Sequence, residues 1–192
     1  MPKAMRNIMT IRARPRTREV ALFMAQLDDQ SRNLRADTRA MTRPELAWQP
    51  APGMNTIGML LAHLAVVEVG WMQVGPLRLP SPSTRATLGI DRDDIGIPLA
   101  AHRRPPGALA GRTLAFYDRL LARARAHTRK VAATLTDADL EPEFKRTRRD
   151  GIRQVLNDRW VFYHVLEHFA GHYGQILLLR HQFRARGRKR GR

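Results

Sequence analysis

His164, His168 and His172 recur at intervals of four within the segment Trp160–Arg180. At 100° per residue each interval turns a helix by only about 40°, so the three imidazoles share one side. Neighbours at that spacing lie about 5–6 Å apart at Cβ, which lets two ring nitrogens reach one divalent cation. Relative to His164, Asn157 and Gln175 fall near 20° and Val161 and Leu179 near 60°, so the face mixes polar and apolar groups. A solvated face is mostly charged, and a packed one holds few imidazoles because each buried ring nitrogen needs a partner. On the residues alone, a metal centre and a set of hydrogen-bonded core histidines both stay open.

A facial metal site needs a ligand from a second element, and His63, in Leu60-Leu-Ala-His63-Leu-Ala, is the best candidate. Trp71, eight residues on, lies about 80° around and could wall the same pocket. His168-Phe-Ala-Gly-His172 lacks the glutamate that serves as base in the zincin motif, and Glu167 points about 100° away from His168, so no general base is identified. Arg180 is a candidate partner for a substrate carboxylate. His102, His127 and His181 read as surface residues.

Four helices are expected to position these groups. The first runs from about Thr17 to Met41, with Val20, Phe23, Met24, Leu27 and Leu34 at helical spacing. The second begins near Asn55 and ends by Gly75-Pro76, the third spans about Ala108 to Leu135, and the fourth about Gly151 to Phe183. Arg43-Pro44-Glu45 and Pro50-Ala-Pro-Gly53 read as breaks. A proline-rich crossover, Leu77 to about Gly107, joins helices two and three; connections this long are usually functional or mobile. No stretch shows convincing period-two alternation, so strands are at most minor. The fold class is all-α, one bundle over residues 17–183, with a flexible basic segment at 1–16 and a basic tail at 184–192.

The chain has 192 residues, no cysteine and a formal net charge of +17. The lack of thiols excludes disulfides, thiolate ligands and a cysteine nucleophile. Residues 1–18 and 184–192 carry six cations each and no acid, so the body between is only mildly basic. Such ends can hold nucleic acid or anionic lipid weakly and non-specifically through counterion release, and a plain solvated tail is the alternative. Aromatics are not interleaved with the basic runs, which argues against selective recognition. The basic N-terminus lacks the apolar core of a signal peptide, and no stretch approaches 18 uninterrupted apolar residues. The expectation is a cytoplasmic protein without a membrane span.

Gly53-Met-Asn-Thr-Ile-Gly-Met-Leu-Leu-Ala-His63-Leu-Ala-Val-Val-Glu68-Val-Gly-Trp71, followed far downstream by His164-x-x-x-His168-x-x-x-His172-Tyr-Gly174-Gln175-Ile176, resembles the DinB-like (YfiT-like) superfamily of metal-dependent enzymes. The resemblance covers the order of the four helices and the crossover. It implies an up-up-down-down four-helix bundle, usually a homodimer, holding one zinc or nickel ion through three histidines. Carried over by position, the ligands are His63, His168 and His172, with His164 nearby and Gln175 packing or supporting a ligand. Some relatives act on bacillithiol or mycothiol as S-transferases or as an isomerase. The expected function is therefore a metal-dependent enzyme activating a small thiol cofactor or water, of transferase, isomerase or hydrolase type, on a small-molecule substrate. The rival readings are a non-catalytic bundle whose basic tails bind nucleic acid, and one whose metal is structural.

Overall fold

The structure, a computed structural model, describes residues 9–97, 99–101, 103–148 and 151–189, with side chains to residue 186. It is mostly helical with one small sheet. The elements are α1 (Arg18–Thr38), α2 (Arg43–Ala47), α3 (Ile57–Val74), α4 (Arg85–Leu88), α5 (Arg92–Ile95), α6 (Leu114–Ala132), strands β1 (Phe144–Thr147) and β2 (Arg153–Leu156), and α7 (Asp158–Lys189).

Helix α3 is apolar almost all the way round, and that determines its place. Its 18 residues have a mean hydropathy of 1.6, enough by length and composition to cross a membrane, yet 72% of them are buried within the fold. A helix of that kind belongs at the centre of a core. It packs on α6 and on α7, and α1 packs on α7 and α6. Thr56 starts α3 by accepting a hydrogen bond from the Met59 N–H at 3.1 Å. Gly58 permits the close approach of α6, since a Cβ there would lie 2.4 Å from the Tyr117 hydroxyl oxygen. The main apolar cluster gathers Leu34, Met59, Leu60, Leu61, Leu120 and Phe169, while Val20, Leu27, Met72, Val161 and Phe162 form a second.

Three departures from the expected elements have local causes. Arg43-Pro44-Glu45 opens a helix instead of breaking one: Thr42 and Glu45 form a reciprocal capping box, and proline is tolerated in a first turn. The crossover carries α4, α5 and a 3₁₀ turn at Gly107–Leu109, and it buries Leu88, Ile90, Ile95 and Leu109 in the core. Residues 151–157 are not the start of the last helix. β1 and β2 pair antiparallel, Phe144 opposite Leu156, with Gly151 at φ 82° beside the turn. α7 begins only at Asp158, where Asn157 Oδ1 accepts from the Trp160 N–H at 2.9 Å, so Asn157 caps the helix and does not lie on its histidine face. At its other end α7 runs on past Phe183 to Lys189.

Candidate metal centre

α3 and α7 lie side by side, and the contact brings His63 against the histidine row of α7. His63 Nε2 is 3.0 Å from His168 Nε2, and His172 Nε2 is 3.1 Å from the same atom. The ligand atoms of His63, His168 and His172 all lie within 4.8 Å of one another. His63 and His172 meet edge to face, ring centroids 4.8 Å apart.

The protonation chemistry of this cluster is poorly served by the protein alone. Gln175 Oε1 accepts from His172 Nδ1 at 2.8 Å, which leaves the His172 Nε2 lone pair facing inward. One proton on His168 Nε2 can serve only one of its two contacts, and the lone pair across the second then goes without a donor. His63 Nδ1 is buried with no hydrogen-bond partner among the described residues. A divalent cation accepts such convergent lone pairs together: at Zn–N distances of about 2.0–2.1 Å, tetrahedral ligands stand about 3.3 Å apart. The residues therefore fit a metal ion, with imidazole as the whole donor set.

Charge around the cluster favours neutral rings. Burial, then His172, then Arg92 push the His63 pKa down to about 4. For His168 burial leads, followed by His172, His63 and His164, and the value falls to about 3. Neutral imidazole is the form that binds metals.

His164 stands beside the cluster and not within it. It stacks on Trp160 with ring centroids 4.7 Å apart and an interplanar angle of 8°, meets Trp71 edge-on at 4.9 Å, and lies 5.8 Å from the His168 ring. Its Nδ1 is 2.9 Å from Glu167 Oε1, which gives Glu167 a partner away from the three histidines. Trp71 walls this stack, and the Arg146 guanidinium, from β1, sits over its ring at 4.7 Å.

The remaining sequence candidates fall elsewhere. Arg180 bonds to the Asp37 carbonyl and, at 3.3 Å, to the Arg39 carbonyl, tying α7 to the end of α1. His181 is exposed, and His102 lies outside the described residues. His127, expected on the surface, is half-buried with a partnerless Nε2; burial lowers its pKa, against the pull of Glu68. The sequence reading missed two groups, Arg92 and Arg146. Both come from elements too short or too irregular for periodicity to reveal.

Comparison with known sequences completes the picture. A family model described as Mycothiol-S-transferase matches residues 22–185, most of the chain, from the second turn of α1 to within the last turns of α7. No curated protein matches.

Proposed function

The chain belongs to the mycothiol S-transferase family, and from that premise we propose that it is a metal-dependent transferase joining the sulfur of a low-molecular-weight thiol to a small electrophile. The observation that carries this reading is the convergence of His63, His168 and His172, with Nε2 contacts of 3.0 and 3.1 Å and no other group bonded to those atoms among the described residues. In it the three histidines hold one divalent ion, zinc or nickel. When bound, the ion supplies a Lewis acid that stabilises a thiolate at neutral pH, its charge undiminished by anionic ligands.

The chain's own residues do the rest. Gln175 holds His172 in the tautomer that turns Nε2 inward. The wall of Trp71, Trp160 and His164 keeps water from one side of the cluster. With no cysteine in the sequence, the nucleophilic sulfur arrives on the cofactor, and mycothiol is the thiol that the family name supplies. The wider proposal is an up-up-down-down four-helix bundle, acting as a cytoplasmic homodimer. Weak contact of the basic ends with nucleic acid follows from their charge and is separate from the reaction.

Elemental analysis of tag-free wild type and His168→Ala tests the site. About one zinc or nickel per chain is expected in the wild type and none in the variant. Mass spectrometry of mycothiol offered with simple electrophiles then tests the activity, expected in the wild type alone. Full metal content in His168→Ala, or none in either protein after both cations are offered, sinks the reading.

A further inference from the structure

The crossover places one cation beside the histidines, and its placement follows from where its segment is pinned. At one end Gln73 Nε2, near the end of α3, donates to the Ser83 carbonyl at 2.9 Å. At the other, Ile95 is fully buried, and a Cβ on Gly96 would lie 3.7 Å from Met59 Cε. On α3, Met59 and Gln73 fall about 40° and 80° to the same side of His63. The segment from Ser83 to Gly96 therefore runs back along α3 past its middle, beside the row that carries His63. Arg92 sits within that run.

Its neighbours are locked. Asp91 accepts from the Ser83 hydroxyl at 2.6 Å and from Thr84 at 3.2 Å, and Asp94 pairs with Arg85 at 2.8 Å. The Arg92 side chain, by contrast, is exposed, and no hydrogen bond or ion pair engages its guanidinium among the described residues. Gly70, two turns along α3 and about 20° from the His63 row, has open space where a Cβ would stand. Glycine is disfavoured inside a helix, and no packing demands it here.

We propose that Arg92 binds the anionic group of the electrophile, a carboxylate-bearing substrate lying over the open surface of α3 between His63 and Gly70. This inference rests on the transferase reading and extends it to the charge of the second substrate. Arg92 sets specificity: a planar guanidinium pairs with a carboxylate through two parallel hydrogen bonds, a geometry that lysine matches only in part.

The test uses full-length protein and a matched pair of probes, succinate and its neutral diamide, with binding read by calorimetry and by tryptophan fluorescence. The wild type is expected to prefer succinate by about tenfold. Arg92→Ala is expected to lose that preference with its zinc content unchanged, and Arg92→Lys to keep part of it. In steady-state assays, Arg92→Ala raises KM for an anionic electrophile and leaves KM for the thiol and for a neutral electrophile in place. Equal succinate binding by wild type and Arg92→Ala overturns the proposal. So does a preference that disappears in Arg146→Ala instead, or a KM change confined to the thiol. Repeating the titration on metal-stripped protein separates the two readings. An Arg92-dependent preference in a protein that never takes up metal sustains this inference and sinks the metal site; one zinc per chain with no such preference does the reverse.

Discussion

Two polar clusters hang from α3 five residues apart, one at Glu68 and one at His63, and they are closed in opposite ways. Glu68 receives Arg125 through two hydrogen bonds, 2.8 Å from Nε and 3.1 Å from Nη2. The same guanidinium bonds Asp28 at 3.0 Å, and Arg129 meets Asp28 at 2.9 Å. Burial works against the charge on Arg125, but Glu68 and Asp28 more than offset it and hold its pKa above the ordinary range. Every charge there has a partner from the protein. The histidine cluster has convergent ring nitrogens with too few protons among the described residues to serve every contact. A satisfied buried network is a piece of architecture; an unsatisfied one calls for an explanation, and in the proposed reading a bound ion supplies it.

That contrast predicts opposite responses to mutation. Arg125→Met strands Glu68, whose side chain is only 2% exposed, and should cost about 3–5 kcal/mol in urea denaturation while leaving the zinc content unchanged. Adding Glu68→Leu should recover much of the loss, because removing both partners leaves no buried orphan. A cost below about 1 kcal/mol for Arg125→Met would break the architectural half of the comparison. For the histidines the order inverts. Metal-free His63→Leu should be as stable as the metal-free wild type, since it removes an unsatisfied polar group. Zinc at a hundred times its dissociation constant should stabilise the wild type by about 2.7 kcal/mol and the variant not at all. If metal-free His63→Leu loses as much as Arg125→Met, the histidine cluster is architecture too.

Acid sharpens the difference. The His63 and His168 pKa values of about 4 and about 3 lie below the ordinary 6.5. Their contribution to stability is therefore present above pH 6.5, where the unfolded chain is also neutral, and is lost as the pH falls and the unfolded chain takes up protons. Metal-free protein should lose about 1–2 kcal/mol between pH 6.5 and 5.5. Arg125→Met should keep that slope. A metal-free double variant, His63→Leu with His168→Leu, should flatten it, and an unchanged slope there would assign the effect to other groups.

The two clusters were not equally legible in the sequence. The histidine row shows because its spacing matches the helical period within one element, and His63 shows because an imidazole amid Leu60, Leu61 and Leu64 needs a partner. Glu68 and Arg125 are 57 residues apart, and each alone reads as an ordinary helix charge. The same distinction runs through the fold. The long helices follow from periodicity, whereas α2, α4 and α5 span one turn or little more, too short for any period to register. The hairpin does not show because Ile152, Val155 and Leu156 fall inside the helix expected from about Gly151. Gly151 is the signal that could have separated them, a glycine at positive φ ahead of an alternating run. Arg92 had no local signal at all, since its position depends on contacts that Gln73, Ile95 and Gly96 make with other parts of the chain.

The smallest expected effect probes the edge of the histidine cluster. Gln175 is exposed, does not belong to the converging set, and meets it through the 2.8 Å hydrogen bond to His172 Nδ1. If that bond does no more than decorate the helix surface, Gln175→Ala should change neither stability nor metal affinity. If it fixes the ring, the substitution releases His172 to rotate and to carry its proton on Nε2, so that binding must first restore the inward lone pair. Partners of ligating histidines are typically worth 10–100-fold in affinity, and a neutral amide at an exposed position belongs at the lower end, about tenfold. Competition with a chromophoric zinc chelator reads the difference directly. Gln175→Glu supplies the control: a carboxylate in the same place accepts the same proton, so its affinity should match or exceed that of the wild type. A tenfold loss in both variants would mean that Gln175 acts through packing and not through the tautomer of His172.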